Sequence, residues 1–574
     1  MKIKLNGEEI SSNYTKNLLR QRGVEMPEVL LDPTPELLQS PEALADIEKG
    51  YELFMKSLGK KPIALVVDSD CDGMTSAAVI YQYIKDISPE TEIEYYLHSG
   101  KQHGLEDCYD KIVDKEYELV ILPDAGTNDI EYQKILNEKG LPILVLDHHL
   151  KEEEVFEAVP NTIIVNNQCS PEYLNKDLTG VGVTWQFCRY CDMKNNTNHA
   201  EKYIDLVALG VAGDMGSALS YENQYIFDCG FKSVKNFFFK TLCDKQAYSM
   251  QNVVNYISVV FYIVPMINAM IRMGTMSEKE RLFLAFIDGQ RLVPSNKRGA
   301  KGTMEKVAVE SARECTNAKS HQNTVRDKMV DKLSFKIEKD GLLDNKVLFI
   351  KLDDTDIFPA ELNGLIAMMC TTLYKRPTII ARVNEEGLVR GSIRGLSNSE
   401  FDNFKGFLDE SGFFNYVRGH AQAAGMEIAE GNLEAFHEYA NRALEKYDFT
   451  ENFYPVDFVR CPMDKDLKDL IFDIAENDYI WGTGNPTPMV YVKDIIFTPD
   501  DMQIMGANQD TMKISKNGVE YIQFRAGELI KKIREFDVVS MSVVGTMSVN
   551  HWGGRSTPQI MISNWEVQNG EYTF

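Results

Sequence analysis

Between Lys60 and Tyr225 the chain alternates short, wholly apolar runs with longer stretches of helical spacing. Ile63 to Val67, Leu119 to Leu122, Ile143 to Leu146 and Ile163 to Val165 are rich in Val, Ile and Leu, the composition of strands buried on both faces. Strands alternating with helices predict a parallel sheet covered on both sides, in which ligands gather beyond the carboxyl ends of the strands. From Ile226 to Lys336 the pattern is helical and charged and predicts a connecting segment, with Lys297, Arg298 and Lys301 near a solvated bend. A second α/β block, Lys346 to Asp448, carries strand-like Val347 to Leu352 and Thr378 to Val383, then a glycine-rich turn from Arg418 to Gly425. From Pro488 onward, short alternating strands such as Ile514 to Phe524 and Val538 to Met547 predict a small β-barrel or sandwich.

A chain of 574 residues exceeds one hydrophobic core and predicts about three to five compact units. Its 44% hydrophobic and 26% charged residues are those of an ordered protein. The first nine residues hold Lys2, Lys4, Glu8 and Glu9 and no apolar run, so no signal peptide is predicted and the cytoplasm is the expected location. The longest apolar stretch, Tyr256 to Ile271, is interrupted by Pro265 and Asn268 and predicts a buried helix rather than a membrane span. Ten cysteines stand singly except for Cys188 and Cys191, a CxxC without a second pair or nearby histidine, which reads as two semi-buried thiols on adjacent helix turns. The net charge of −25 lacks the basic footprint of a nucleic-acid binder, yet carboxylates that hold divalent metals count as negative only in the empty site. Charge therefore neither supports nor excludes such a partner.

The chemistry sits at the ends of the apolar runs. Asp68-Ser69-Asp70-Cys71-Asp72-Gly73 places three carboxylates in five residues directly after a strand, and crowded carboxylates repel unless a cation neutralises them. The next runs end in Asp124-Ala125-Gly126 and Asp147-His148-His149, and Asp214 follows the apolar segment Leu206 to Ala212. Each of these motifs alone reads as a turn, a cap or a surface pair. In order, at successive strand ends, they converge in one crevice. Hard oxygen ligands with one or two imidazoles favour manganese or magnesium, and two such ions suit hydrolysis of a phosphate ester.

Together these motifs resemble the four-part signature of the DHH phosphoesterases, named for the triad that stands here as Asp147-His148-His149. More narrowly the chain resembles the RecJ-like exonucleases that degrade single-stranded DNA from the 5′ end. The likeness takes in Leu19 to Gly23, Leu178 to Val183, Glu222-Asn223, and Pro265 with Asn268-Ala269 and Arg272. It continues through Gly391-Ser392-Ile393-Arg394 and Gly419 to Gly425, which resemble the substrate-binding segments of the DHH-associated domain. Trp481 to Pro488, Asn550-His551-Trp552-Gly553-Gly554 and Pro558-Gln559 resemble the entry to an OB-fold and its closing strand.

The resemblance implies an α/β fold with a parallel-sheet catalytic domain (57–225), preceded by a segment packing on it (1–56). Connecting helices (226–345), a second α/β domain (346–449), and a linker with an OB-fold-like barrel (450–574) would follow. Asp70 and Asp72 would each favour one of two Mn2+ or Mg2+ ions, Asp124 would bridge them, and His148 and Asp214 would complete the shell, with Asp68 at its edge. Asp147 would orient a histidine and His149 would face the scissile phosphate. Ser392, Arg394, Gly419 and His420 would hold the strand backbone or its 5′ phosphate, and Arg272 and Trp552 would also touch substrate. The family's arginine after the second strand has no clear counterpart, with Lys101 the nearest candidate and His98 or His103 alternatives. The implied protein is a monomer in DNA recombination, repair or replication, with single-stranded DNA and a single-strand-binding protein as partners and no membrane. A superfamily enzyme for short oligonucleotides or nucleotides is the main rival, a catalytically dead DNA-binding relative the other. Trp552 equally suits a barrel core, and Lys513 either a phosphate contact or a snorkelling side chain.

Overall fold

The computed structural model describes residues 1–100, 102–151, 159–353, 358, 360–384, 387–396, 401–449, 453–506, 508–552 and 554–570, with Lys101 outside them. The chain divides into two compact units. One comprises Arg22–Ser320 and Asn477–Thr487, the other Met1–Gln21, His321–Glu476 and Pro488–Phe574. The division falls inside the long helix Val307–Lys339.

A short strand, β1 (Lys2–Leu5), opens the chain. The sheet of the first unit then uses β2 (Ile63–Val67), β3 (Ile93–Leu97), β4 (Leu119–Pro123), β5 (Ile143–Asp147) and β6 (Thr162–Asn166). All pairings are parallel, in the order β3-β2-β4-β5-β6. β2, β4 and β5 are buried at every residue, which is why the sequence shows unbroken apolar runs there. Ile63, Leu65 and Val67 join the core on one face, Ala64 and Val66 the core on the other. β3 was not legible as a strand because it lies at the sheet edge and carries Glu94 among its tyrosines. The chain winds outward to β3 on one side of β2 and to β4, β5 and β6 on the other, so the order reverses between β2 and β4. A crevice opens at such a switch point, beyond the carboxyl ends of those two strands.

The helices Cys71–Ile87, Gly180–Asn195 and Ile204–Gly213 pack together on one face of this sheet. Cys188 and Cys191 are buried in the second of them. The apolar stretch after Tyr256 is helical to Met273 with one π-turn at Val259–Ile263. At 18 residues it reaches membrane-spanning length, and 56% of it is buried within the fold. After helix Met276–Ile287, the expected bend at Lys297 to Lys301 is the tip of an antiparallel hairpin, β7 (Leu292–Pro294) and β8 (Met304–Lys306).

In the second unit β9 (Leu348–Leu352), β10 (Thr378–Val383), β11 (Leu388–Arg394), β12 (Phe414–His420) and β13 (Ala423–Ala429) form a mixed sheet, ordered β12-β13-β11-β10-β9. The glycine-rich turn expected from Arg418 to Gly425 is instead mostly strand, with β12 and β13 running into it and turning at Ala421-Gln422. After β14 (Phe453–Val456), a seven-stranded sheet contains β15 (Phe458–Arg460), β16 (Met489–Phe497), β17 (Met502–Met505), β18 (Thr511–Lys516), β19 (Val519–Gln523), β20 (Val539–Trp552) and β21 (Arg555–Asn569). The single strand expected over Ile514 to Phe524 is two strands joined at Asn517-Gly518, a dipeptide suited to a tight hairpin because both residues take positive φ, 51° and 78°.

The N-terminal segment is shared between the units. β1 pairs in parallel with β14, and Thr15 N–H donates to Asp473 Oδ2 at 3.2 Å. From Arg22 onward the segment belongs to the first unit, where Arg22 donates to Asn485 Oδ1 at 2.6 Å and Tyr479 donates to the Leu31 carbonyl at 2.8 Å.

Candidate metal centre and substrate-contact residues

Asp68 to Asp72 lie where β2 runs into the helix Cys71–Ile87, and Asp70 caps that helix by accepting from Gly73 N–H at 2.9 Å. The turn is tight enough to require Gly73, since a Cβ there would fall 2.5 Å from Asp68 Cβ. Asp72, in the first helical turn, is buried and points into the amino end of a second helix, accepting from Gly180 N–H at 2.8 Å and Val181 N–H at 3.1 Å. Asp124 follows β4 with a left-handed backbone, φ 66°, and one carboxylate oxygen, Oδ1, is buried without a hydrogen-bond partner. His148 Nε2 lies 3.3 Å from that oxygen and 3.5 Å from Asp214 Oδ2.

Among the described residues four groups of ligand atoms lie mutually within 4.8 Å; Asp124, Asp147, His148 and His149 form one and His98, Asp107 and Cys108 another, and the remaining two gather the acids of the strand ends. Of these two, one is Asp68, Asp70 and Asp124, the other Asp72, His148 and Asp214, and the Asp124–His148 approach joins them. Burial and the charges of Asp72, Asp70 and Asp68 push the Asp124 carboxyl well above its ordinary range. Burial with the charges of Asp72 and Asp70 raises Asp214 to about 8, and Asp70 and Asp72 are raised chiefly by burial. The same burial, with the neighbouring His149, lowers His148 to about 4, leaving a neutral imidazole with an available nitrogen. Clustered carboxylates, a neutral imidazole and an unpartnered buried oxygen are what a divalent-cation site needs, and they fit manganese or magnesium.

Asp147 differs from the other acids. Its carboxylate accepts from Thr127 N–H at 2.9 Å, His148 N–H at 2.7 Å, His149 N–H at 3.2 Å and His149 Nδ1 at 2.8 Å. Although burial pushes Asp147 up, the hydrogen bond from His149 and the imidazole charges hold it below the ordinary carboxylate range. In return Asp147 raises His149 to about 9, so His149 is an imidazolium with an exposed outer edge.

His98, an alternative for the missing phosphate contact, has a fully buried side chain that faces inward. Its Nδ1 bonds Asp107 and its Nε2 lies 3.8 Å from Asp68 Oδ1. His103 is half exposed with Nδ1 2.6 Å from Asp68 Oδ2. Several supports had no signal in the sequence. Buried Lys279 donates to the carbonyls of Ser99 at 2.7 Å and His98 at 3.3 Å. Asn166 bonds Thr127 Oγ1 and the His149 carbonyl at 2.9 Å each. Asn223 donates to the carbonyls of Asp177 and Ser217 at 3.1 Å each and so fixes the segments entering Gly180 and leaving Asp214.

The expected substrate contacts Ser392, Arg394, Gly419 and His420 belong to the second unit. Across β11, β13 and β12 the register aligns Arg394, Ala423 and His420 in one row, and Ser392, Gly425 and Arg418 in another. Arg394 also lies over Gly364 in the first turn of helix Asn363–Tyr374, where a Cβ would fall 2.5 Å from its guanidinium. Arg272 is half-buried in the last turn of helix Val264–Met273. Trp552 ends β20, with its side chain outside the described part. Lys513 is paired with Glu520 at 2.9 Å.

Residues 62–211 match the model of the DHH family, N-terminal domain, and residues 465–564 match that of the RecJ OB domain. The chain is 33% identical over 558 residues to YorK of Bacillus subtilis (strain 168), a SPbeta prophage protein named as a single-strand DNA-specific exonuclease, covering 96% of this chain and 95% of YorK. It is 24% identical to the single-stranded-DNA-specific exonuclease RecJ of the same organism, covering 88% of this chain and 62% of that one. The fold superposes on that of manganese-bound RecJ from Thermus thermophilus with a TM-score of 0.71 at 17% identity, over 96% of this chain and 75% of that one.

Proposed function

Because the chain belongs to the DHH family, in its RecJ-like branch, we propose that it is a metal-dependent exonuclease that hydrolyses single-stranded DNA from the 5′ end. The observation that carries this reading is the meeting of Asp68, Asp70 and Asp124 with Asp72, His148 and Asp214 around the unpartnered Asp124 oxygen. These six residues would hold two divalent ions, Mn2+ or Mg2+, with Asp124 between them. When bound, such a pair activates a water and stabilises the leaving oxygen of a phosphodiester.

The protein's own groups supply the rest. His149, kept cationic by Asp147, presents a hydrogen-bond donor for a phosphate oxygen as charge develops there. Asp147 spends its acceptors on His149 and the loop backbone, so it orients the imidazole rather than binding metal. Arg394, Ser392, Gly419 and His420 are the proposed hold on the strand backbone or its 5′ phosphate, the guanidinium giving two-pronged phosphate geometry. Arg272 and Trp552 are further proposed contacts, and Lys101, four positions past the end of β3 in the sequence, remains the candidate for the 5′-phosphate contact. The OB-like domain supports long strands over single nucleotides, since such folds combine a cationic groove with aromatic platforms. A monomer working on strands exposed in recombination, repair or replication, alongside a single-strand-binding protein, completes the reading.

End-labelled strands test it. With manganese, a 5′ label should leave single-stranded DNA first as a short product, with a blunt duplex resistant and EDTA abolishing release. Loss of a 3′ label first, or internal cuts, contradicts the assignment. A truncation near Phe449 is a poor substitute, because it removes β14 from β1 and strips buried Trp481 and Asn485 from the catalytic unit.

A further inference from the structure

The chain carries 86 acidic residues in 574, one in about seven, yet none lies between Asp288 and Glu305. That interval holds Arg291, Lys297, Arg298 and Lys301, and it forms the β7–β8 hairpin. Lys297, Arg298 and Lys301 are exposed at the tip and make no ion pair among the described residues. The acids at the hairpin's root are neutralised inward, where Arg313 pairs with Glu305 at 2.7 Å and with Glu310. An unpaired cationic tip on a body of charge −25 is a local positive field that the whole-chain charge conceals.

The tip is also held in shape. Gly302 N–H donates to the Ser295 carbonyl at 2.8 Å, Ser295 N–H to Thr303 at 2.8 Å, and Ala300 N–H to Lys297 at 3.0 Å. Gly299 and Gly302 take the left-handed backbone that closes it, φ 83° and 84°. Below the tip the ribbon shows an apolar face. Pro294 pairs with Met304, and Leu292, two residues along the same side, stands opposite Lys306, whose ammonium lies over the Phe237 ring at 4.4 Å. Leu292 is 59% and Met304 58% exposed.

The hairpin is tied to the catalytic crevice by helix Met276–Ile287. Lys279, in its first turn, bonds the Ser99 carbonyl beside His98, and the hairpin leaves the other end, about 12 Å along the axis at 1.5 Å per residue. We infer that the β7–β8 hairpin is a second contact for the single strand, its three tip cations on phosphates and its apolar face against bases. A duplex could meet only the cations, because its bases are stacked away, so the combination favours a single strand. This inference rests on the proposed nuclease function and extends the substrate's footprint outside the metal centre and the OB-like domain.

The test compares the full chain with its K297Q/R298Q/K301Q variant, and with K49Q/K56Q/K60Q as a control that removes three exposed lysines of the same unit. Binding of a fluorescent thymidine 30-mer is measured in EDTA, so nothing is cut, across a salt series. Each phosphate contact on a single strand contributes about 0.7 to the log–log salt slope, so losing three should flatten it by about 2, or about 20-fold less weakening between 50 and 200 mM. The control should keep the wild-type slope, and manganese-dependent hydrolysis of a dinucleotide should be unchanged in the tip variant. An unchanged slope overturns the inference, as does a parallel loss of dinucleotide hydrolysis, which would mark a structural role. Loss of binding to phosphatidylserine vesicles with strand binding intact overturns it in favour of a membrane contact. A wild type that binds the strand with the steeper slope but cuts nothing upholds the contact and strikes the nuclease reading instead.

Discussion

Gly180→Ala tests how closely the metal centre is built. Gly180 heads the helix Gly180–Asn195, and a Cβ there would fall 2.2 Å from Asp124 Oδ1 and 2.6 Å from its Cβ and Cγ. Ordinary contact begins near 3.4 Å, so Asp124 and the helix must separate by about 1.2 Å. Neither partner is free to move. Asp124 sits on a left-handed backbone with its N–H on the Leu146 carbonyl at 2.8 Å, and Gly180 N–H holds Asp72 Oδ2 at 2.8 Å. Overpacking of this kind costs about 1–3 kcal/mol, and a displacement near 1 Å at reacting groups lowers rates about 100-fold. The assay is manganese-dependent dinucleotide hydrolysis beside a thermal melt, with Gly527→Ala as control, since a Cβ there meets nothing within 4 Å. The alanine at 180 should lower Tm modestly and hydrolysis steeply, and the control should change neither. Wild-type hydrolysis by Gly180→Ala would refute the close approach of this helix to Asp124.

In metal-free protein the Asp147–His149 pair should stabilise the fold fully below about pH 6.5, the ordinary imidazole value, and lose that contribution as pH rises through about 9. Asp147→Asn should return the His149 titration seen by NMR toward its ordinary range, and an unmoved titration would refute the pairing. Lys279→Met leaves the Ser99 and His98 carbonyls without their charged donor, a loss of about 1.5–3 kcal/mol, and a melt within error of wild type would count against it. Arg394→Ala should raise KM for a 5′-phosphorylated 30-mer more than for a dinucleotide, and equal effects on both would remove its backbone-binding role.

The catalytic sheet was legible because β2, β4 and β5 are buried on both faces and leave unbroken apolar runs, each ending in its acidic motif. β3 was not, since an edge strand mixes Glu94 and tyrosines and loses that signal. The turn at Asn517-Gly518 has a legible dipeptide, but it is masked by the apolar alternation that runs through it. Asp68, Asp70, Asp72, Asp124, His148 and Asp214 were each visible as a motif at a strand or helix end, and the fold brings them together. Lys279, Asp107 and Asn166 were invisible because nothing in a lone lysine, aspartate or asparagine states which loop it will hold. The inward orientation of His98 was equally hidden, being set by Asp107 nine residues away on a turn that no periodicity describes. The two-unit division also ran against sequence order. β1 pairs with β14 across some 450 residues, a contact that local pattern cannot express.

The central claim is that carboxylates from separate strand ends share a pair of divalent ions, and calorimetric titration of the metal-free chain with manganese measures it directly. The wild type should bind two ions per chain, and Asp124→Ala, with the central oxygen removed, should lose high-affinity binding while keeping a cooperative melt. A single ion in the wild type, or two bound undiminished by Asp124→Ala, would contradict the account.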